Sequence, residues 1–394
     1  MSEYFIPIIL ILLVIGALLK EQFVFTILYL FIGAYAFGRW WSVKALEAVH
    51  SRRTLPSRAF LGEDVKVQLE LSNLGRLPVV WLHIHESFPY ELAVPSFYQR
   101  VISLRSHERS RFAYTLKARK RGYYSIGPLS VSSGDIFGLA DQVRGEVPAD
   151  YLTVFPRIVP LSKIIIPSRS PMGSLRHTQP LFEDPNRVMG KRDYVMGDSL
   201  RRVDWKATAA TGRIQVKQFE PSIALETCLF LNLNAGDYAR KTRIPDTELA
   251  IVVAASIAYW VVDKKQSVGL VTNGQDPYLA DGHVQPLPPR KGRNHLMRLL
   301  EILARIQMVH GRPMTELLRV ESHRLPWGTT LILISNHLDN VTFDSLFQAR
   351  RAGMDVMLVL CGPVRDFQEI RRRAEQFSFP LYQMFSEADL DVWR

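Results

Sequence analysis

"TCLFLNLNAGDYARKTRIPDTELAIVVAASIAYWVV", running from Thr227 to Val262, sets the fold class of the carboxy-terminal half. Thr227 to Leu233 is a nearly unbroken apolar run of strand length, the pattern of a strand covered on both faces. From Thr247 to Val262 the period changes. Leu249, Val252, Val253, Ser256, Ile257 and Trp260 recur at three- and four-residue spacing, which predicts a helix. The strand-then-helix alternation continues along the chain. Ser267 to Thr272 is a strand, and His295 to Gln307 is an amphipathic helix carrying Leu296, Leu299, Leu300, Leu303 and Ile306. Thr329 to Ser335 is a strand, Thr342 to Ala352 a helix, Asp355 to Leu360 a strand and Asp366 to Phe377 a helix. Elements alternating at these lengths predict an α/β domain over 225–394 with a mostly parallel sheet and right-handed crossovers.

Immediately before it, Pro156, Pro160, Pro167 and Pro171 mark a linker, and 161–224 is read as linker plus a dense charged segment. Eight basic residues lie between Arg187 and Lys217, set among Asp193, Asp198 and Asp204 with Tyr194 and Trp205. Gly197-Asp198 makes a turn, and Ser199 or Asp198 caps a short helix carrying Leu200, Val203 and Trp205. Mixed charge at this density suits a fixed network in which Arg forks hold Asp carboxylates. A surface for an acidic protein or phosphate is the sharper alternative. A nucleic-acid site needs a patch of one sign with exposed aromatics, and the interleaved aspartates weigh against it.

The region 46–160 reads as strands. Val65 to Ser72 alternates strictly, with Val65, Val67, Leu69 and Leu71 on one face. Asn73-Leu74-Gly75 supplies a turn, Val79 to Glu86 alternates again, Phe112 to Ala118 follows, and Gly122 to Val131 holds two short strands split by Gly127-Pro128. Strands of this spacing predict an all-β, immunoglobulin-like sandwich. His83 and His85 share a strand face without a third ligand at metal spacing, so an ordinary strand pair is expected there. Lys117, Arg119, Lys120 and Arg121 fit a solvated hairpin end.

Residues 1–45 are expected to form a transmembrane helical hairpin. Tyr4 to Leu19 carries no charge, Lys20-Glu21 interrupts, and Gln22 to Gly38 is again uncharged. At 1.5 Å per residue the first stretch reaches about 24 Å and the second, through Trp41, about 30 Å. A signal peptide is disfavoured, because no basic stretch precedes Tyr4 and no small-residue cleavage site follows. Arg39, Lys44, Arg52, Arg53 and Arg58 lie behind the second span, so the positive-inside bias places both termini and the soluble bulk in the cytoplasm.

The 394 residues suggest two or three domains. With 47% hydrophobic and 22% charged residues the chain is globular in composition. Its net charge of +11 suits nucleic acid, anionic lipid or an acidic partner without choosing among them. Two cysteines, Cys228 and Cys361, exclude a disulfide scaffold and fit a reducing compartment. The sequence has no Gly-x-Ser-x-Gly, no phosphate-binding loop and no His-Glu-x-x-His, and neither cysteine has a histidine or basic helix start beside it. An enzyme is not expected.

The stretch "RDYVMGDSLRRVDWKATAATGRIQVKQFEP", Arg192 to Pro221, resembles the signature of the bacterial family catalogued as domain of unknown function 58. The matching residues are Arg192, Tyr194, Gly197-Asp198, Arg201 or Arg202, Val203-Asp204-Trp205, Thr208, Lys217 and Phe219-Glu220. Upstream, "RGYYSIGPLSVSSGDIFGL" (Arg121 to Leu139) and "LTVFPRIVPL" (Leu152 to Leu161) resemble the edge of the family's sandwich. One departure is visible: the family often has Ser-Ala-Arg after the Trp, and this chain has Ala210 where that arginine would stand.

The resemblance implies that 225–394 is a von Willebrand factor A-like, Rossmann-type domain. Such domains often hold Mg²⁺ through an Asp-x-Ser-x-Ser loop after the first strand. Here that loop is Asn232-Leu233-Asn234-Ala235-Gly236, and Ser335-Asn336 stands where Ser-Asp is expected. Mg²⁺ wants at least one carboxylate, so this degenerate set predicts poor affinity, with Asp237, Asp246 and Asp339 nearby in sequence as partial compensation. No cofactor is expected. The resemblance further implies a scaffold or adaptor working with a MoxR-type AAA+ ATPase in protein assembly or maturation, including of envelope or metal-containing proteins. In that picture Arg192, Asp198, Arg202, Asp204 and Trp205 hold the segment between the domains, and the sheet edge near Asn232 to Asp237 meets the partner. The alternatives are a Mg²⁺-dependent ligand-binding or hydrolytic module and a membrane-associated nucleic-acid binder.

Overall fold

The computed structural model describes residues 22–134, 143–162, 183–221 and 226–393, with 164 and the scattered positions 7, 9–11, 13, 14 and 18; for 143, 183–187, 189, 219–221 and 392 it describes the backbone alone. The expected first span, Tyr4 to Leu19, therefore lies largely outside the described residues. The chain divides into two compact units, 1–157 and 158–394.

The first unit opens with α1 (Gln22–Glu47), a helix long and apolar enough to cross a membrane. It runs past the expected end of the span. Its last turns bury Ser42, Ala45 and Leu46, and Ala45 and Leu46 join a core with Leu69, Leu71, Leu82, Ile84 and Leu129. The Trp41 indole N–H donates to the Pro78 carbonyl at 3.0 Å.

Ten strands follow: β1 (Val49–Thr54), β2 (Arg58–Phe60), β3 (Asp64–Asn73), β4 (Val79–Ser87), β5 (Phe97–Leu104), β6 (Arg109–Lys117), β7 (Gly122–Ile126), β8 (Leu129–Ser133), β9 (Val143–Val147) and β10 (Asp150–Phe155). They form three sheets in the orders β1-β3-β6, β2-β10-β7 and β5-β4-β8-β9. Val65, Val67, Leu69 and Leu71 of β3 are all buried, because alternation gives a strand one core face. A buried ion cluster ties strands of all three sheets together. Arg53 of β1 lies 2.5 Å from Glu86 of β4 and 2.7 Å from Asp150 of β10, and Tyr114 of β6 donates its hydroxyl to Glu86 at 2.5 Å. The side chains of Arg53 and Glu86 are 2% and 0% exposed. Arg53, one of the cations that follow the second span in sequence, is thus buried within this unit.

In the second unit, β11 (Glu183–Asp193) and β12 (Gln215–Pro221) pair antiparallel. The dense charged segment is therefore built on a hairpin, whose far end carries a 3-10 turn (Leu200–Arg202) and the short helix α2 (Trp205–Thr211). The remaining elements are β13 (Glu226–Leu231), α3 (Arg243–Asp263), β14 (Ser267–Thr272), β15 (Leu287–Arg290), α4 (Arg293–Arg305), α5 (Met314–Ser322), β16 (Thr330–Ser335), α6 (Asn340–Arg351), β17 (Asp355–Cys361), α7 (Phe367–Gln376) and β18 (Leu381–Met384).

They build one sheet in the order β15-β14-β13-β16-β17-β18, parallel except for β15 at the edge. Cys228, Phe230, Leu331, Leu333, Val356 and Leu358 point to the face packed by Met314 and Leu318 of α5, Leu346 of α6 and Ile370 of α7. Helix α3 packs against β13, β14, β16 and β17, and α4 packs on α3. This α3 also has membrane-crossing length and hydropathy, but it is mostly buried inside the unit, as a core helix is. The parallel strands follow the 2-1-3-4-5 order of doubly wound sheets. Their topological switch point, where such sheets hold ligands, lies between the carboxyl ends of β13 and β16.

Candidate functional site

Two places collect the residues singled out in the sequence. The first is the far end of the β11–β12 hairpin. Arg192 grips Asp198 with both guanidinium nitrogens at 2.7 Å, and the second Asp198 oxygen also accepts the Val195 N–H at 3.0 Å. Gly197 takes φ +111°, a value that favours glycine, and the turn closes with Asp198 N–H donating to the Val195 carbonyl.

Asp204 caps α2 by accepting the Ala207 N–H at 3.1 Å and pairs with Lys191 at 2.9 Å. Thr208 receives the Gln215 N–H on its hydroxyl, and Tyr194 N–H donates to the Ile214 carbonyl. Lys217 is half-buried on β12, in register with Lys191. Glu220 lies on β12, with its side chain outside the described residues. Ala210 is exposed, so an arginine there would project from the surface of α2.

The structure corrects two expectations about this segment. The single short helix is split, because Val203 adopts an extended conformation and bridges Val216. Asp204, rather than Asp198 or Ser199, then caps α2. Trp205 holds nothing together by burial: it is 70% exposed, and Leu200 is exposed with it.

The hydrogen bond from Arg192, then the Val195 N–H, holds the Asp198 carboxyl below the ordinary carboxylate range; Lys191 and then the Ala207 N–H do the same for Asp204. A lowered folded-state value means stabilisation that is present above the ordinary carboxylate range and lost as pH falls through the folded value. Amide hydrogen exchange of residues 192–208 is therefore expected to lose protection on acidification below about pH 4, ahead of the α/β sheet. Unchanged relative protection at pH 3 would contradict this.

The second place is the carboxyl edge of the sheet. Asn232, Asn273 and Asn336 each follow directly on a strand end, those of β13, β14 and β16. Asn232 donates from Nδ2 to Asp237 at 2.8 Å and to Ser335 at 2.9 Å, and its Oδ1 accepts from Asn234 N–H at 3.0 Å and from Asn273 at 2.8 Å. Asn273 accepts the Leu233 N–H and donates to the Arg312 carbonyl. Asn336 donates to the carbonyls of Cys361 and Pro363. Side-chain amides thus stitch the ends of β14, β13, β16 and β17 in order, and each amide's orientation is fixed by a backbone N–H or C=O partner.

Asn234 reaches the Gly236 N–H from its own side chain, and Tyr238 donates to the Asn232 carbonyl at 2.6 Å. The Tyr238 phenol is pushed up by burial.

This set does not fit Mg²⁺. The Asn232 N–H groups occupy Asp237 and Ser335, the two groups from which a first shell would begin, and an amide N–H repels a cation. Of the three aspartates nearby in sequence, Asp237 alone touches Asn232. Asp339 caps α6 through Thr342, and Asp246 sits in the first turn of α3, where a Cβ on Gly362 would fall 2.3 Å from its carboxyl carbon. Burial pushes the Asp246 carboxyl up, partly offset by Thr242. Among the described residues no group of three His, Cys, Asp or Glu is placed to hold a metal. Cys228 and Cys361 are buried, and burial raises both thiols far above the range of reactive cysteines. His83 meets Gln99 at 2.7 Å, and His85 meets Ser87.

These features define a protein with a membrane-length helix, a β-rich unit and a doubly wound α/β unit whose switch point is laced shut by amides. Residues 190–366 match the family described as "Protein of unknown function DUF58". The chain's relatives include the uncharacterized protein YeaD of Bacillus subtilis, 24% identical over 193 residues, which are 49% of this chain and 44% of that protein. The uncharacterized protein Rv1480 of Mycobacterium tuberculosis is 30% identical over 126 residues, 32% of this chain and 38% of its own length. The matched stretch thus spans less than half of either relative. Among solved structures, the CARDB domain of a Pyrococcus furiosus protein aligns at TM-score 0.22 and 14% identity, covering 27% of this chain and 86% of that domain. The carboxy-terminal domain of wzt aligns at TM-score 0.21 and 10% identity over 28% of this chain and 75% of its own. Likeness at this level carries no conclusion about ligand or role.

Proposed function

We propose that the chain is a membrane-anchored, cytoplasmic scaffold that docks a protein partner on the carboxyl edge of its α/β unit. The partner implied by the family resemblance is a MoxR-type AAA+ ATPase acting in protein assembly or maturation. In this reading the β-rich unit is an immunoglobulin-like sandwich and the α/β unit a von Willebrand A-like domain that has exchanged metal chemistry for a fixed docking surface. The observation that supports it is the Asn232 network: its amide hydrogen bonds join the strand ends at the switch point and engage Asp237 and Ser335. The same reading assigns the protein no reaction.

The test is affinity capture of the tagged full-length chain from gently cross-linked native membranes. An Arg240→Glu, Lys241→Glu variant, altered at exposed positions beside the Asn232 loop, is run in parallel. A AAA+ ATPase recovered with the natural sequence and lost from a variant of unchanged melting temperature is the expected result. Absence of that ATPase, or equal recovery with both chains, overturns the reading. A Mg²⁺-dependent rise in the natural protein's melting temperature would instead favour the metal-dependent module, and affinity for nucleic acid falling steeply with salt would favour the third reading.

A further inference from the structure

The far end of the β11–β12 hairpin is left unexplained by docking at the sheet edge. Met196 is 97% exposed and Trp205 70%, and Val195, Leu200 and Ile214 are exposed alongside them. Five apolar side chains held in water by one turn-and-helix segment need a counterpart. The segment is also cationic: from Arg187 to Lys217 it has eight basic and three acidic residues, a net +5. Its carboxylates are already engaged. Asp198 is forked by Arg192, Asp204 is held by Lys191, and Asp193 meets Gln215 and lies 3.9 Å from Arg213. Arg201 and Lys206 stand exposed beside Leu200 and Trp205. An exposed Trp with Leu and Met, flanked by Arg and Lys, is the composition that partitions into the headgroup boundary of a negatively charged bilayer. The same chain carries α1, a helix of membrane-crossing length and hydropathy, and on the membrane-anchored reading proposed above, on which this inference rests, a bilayer is within covalent reach.

We infer that this hairpin end is a lipid-surface contact: Met196, Leu200 and Trp205 enter the headgroup boundary while Arg201 and Lys206 meet the phosphates of anionic lipids. The ion pairs of Arg192 and Lys191 serve to hold that face in one shape, so little order has to be created on contact. Such a contact is independent of docking at the sheet edge, since it involves none of the Asn232 network.

The test uses the full chain with an environment-sensitive fluorophore at position 196 through Met196→Cys. Cys228 and Cys361 are 1% and 0% exposed with raised thiol values, so the introduced thiol alone labels. A second protein labelled through Gln376→Cys, at the exposed end of α7, reports proximity without contact. Both are reconstituted into phosphatidylcholine vesicles with and without about 30% phosphatidylglycerol, each carrying a lipid-borne quencher. Contact predicts blue-shifted, quenched emission at 196 but not at 376, dependent on phosphatidylglycerol and weakened by salt. Arg201→Gln with Lys206→Gln should lower the bound-to-free ratio about 25-fold, roughly fivefold for each cation. Emission at 196 that is the same in both vesicles and in detergent overturns the inference, as does equal quenching at 376. If quenching is absent and the double variant instead loses the captured ATPase, the hairpin end is a protein contact.

Discussion

Replacing Arg53 with Met should lower the unfolding free energy of the β-rich unit by about 3–5 kcal/mol. The loss comes from the carboxylate left without its cation. Arg53 neutralises Glu86 at 2.5 Å inside a site where neither side chain reaches solvent. Glu86 also accepts the Tyr114 hydroxyl, whose ionisation is pushed far up first by burial and then by the Glu86 charge. Desolvation opposes the Arg53 charge, yet Glu86 and Asp150 more than offset it, so the guanidinium stays charged and its value rises. Removing the cation strands a buried carboxylate, and removing Glu86 strands a buried guanidinium. Both single variants should therefore be severely destabilised. A triple replacement, Arg53→Met, Glu86→Leu and Tyr114→Phe, should recover most of the loss, because apolar groups of similar volume need no partner. Denaturant unfolding of the three proteins checks this. A loss below about 1 kcal/mol in Arg53→Met would mean that the pair is hydrated and behaves as a surface one.

The ion cluster also shows where sequence reading succeeds and where it stops. The period-two alternation of Val65 to Leu71 is legible because one face of β3 is buried and the other is wet. The same rule, carried one step further along β4, places Glu86 in phase with Leu82 and Ile84 on the buried face. A carboxylate at an apolar position is the visible half of a buried pair. Its partner is not visible, since Arg53 lies in Val49–Thr54, a strand of mostly polar residues whose place is dictated by pairing with β3. The β11–β12 hairpin is hidden for a similar reason: Glu183–Asp193 shows no period-two apolar alternation, and its place is given by the pairing with β12. In the signature segment the Arg192–Asp198 fork follows from residue type and spacing, but the break at Val203 requires its bridge to Val216. The α/β unit is the most legible part, because strands buried on both faces and amphipathic helices have distinct periods. Asn273, by contrast, is missed by sequence reading, although it shares with Asn232 and Asn336 the position directly after a strand end. In a parallel sheet that shared position places the amides side by side.

That row of amides gives the second large effect. Asn232→Ala removes the donor to Asp237 and Ser335 and the acceptor for Asn234 and Asn273 in one step. Two or three buried polar groups lose a partner, which should cost about 2–4 kcal/mol of the α/β unit's stability. Asn232→Asp is more informative, because it keeps the volume and places a carboxylate at the switch point. The new carboxylate cannot donate to Asp237, whose oxygen lies 2.8 Å from the atom being replaced. Two carboxyls that close raise the value of the pair above its unfolded value. The variant's stability is then retained below the ordinary carboxylate range and lost as pH rises through the raised folded value, so it should melt well below the natural protein at pH 8 and approach it near pH 5. Mg²⁺ would now meet two carboxylates and the Ser335 hydroxyl, and millimolar Mg²⁺ should raise the variant's melting temperature while leaving that of the natural protein unchanged. If both proteins respond to Mg²⁺, the Asn232 network opens to admit the ion and the docking-surface reading of this edge fails. If neither responds and Asn232→Asp is as stable as the natural chain at pH 8, the amide row is not the structural lock its geometry describes.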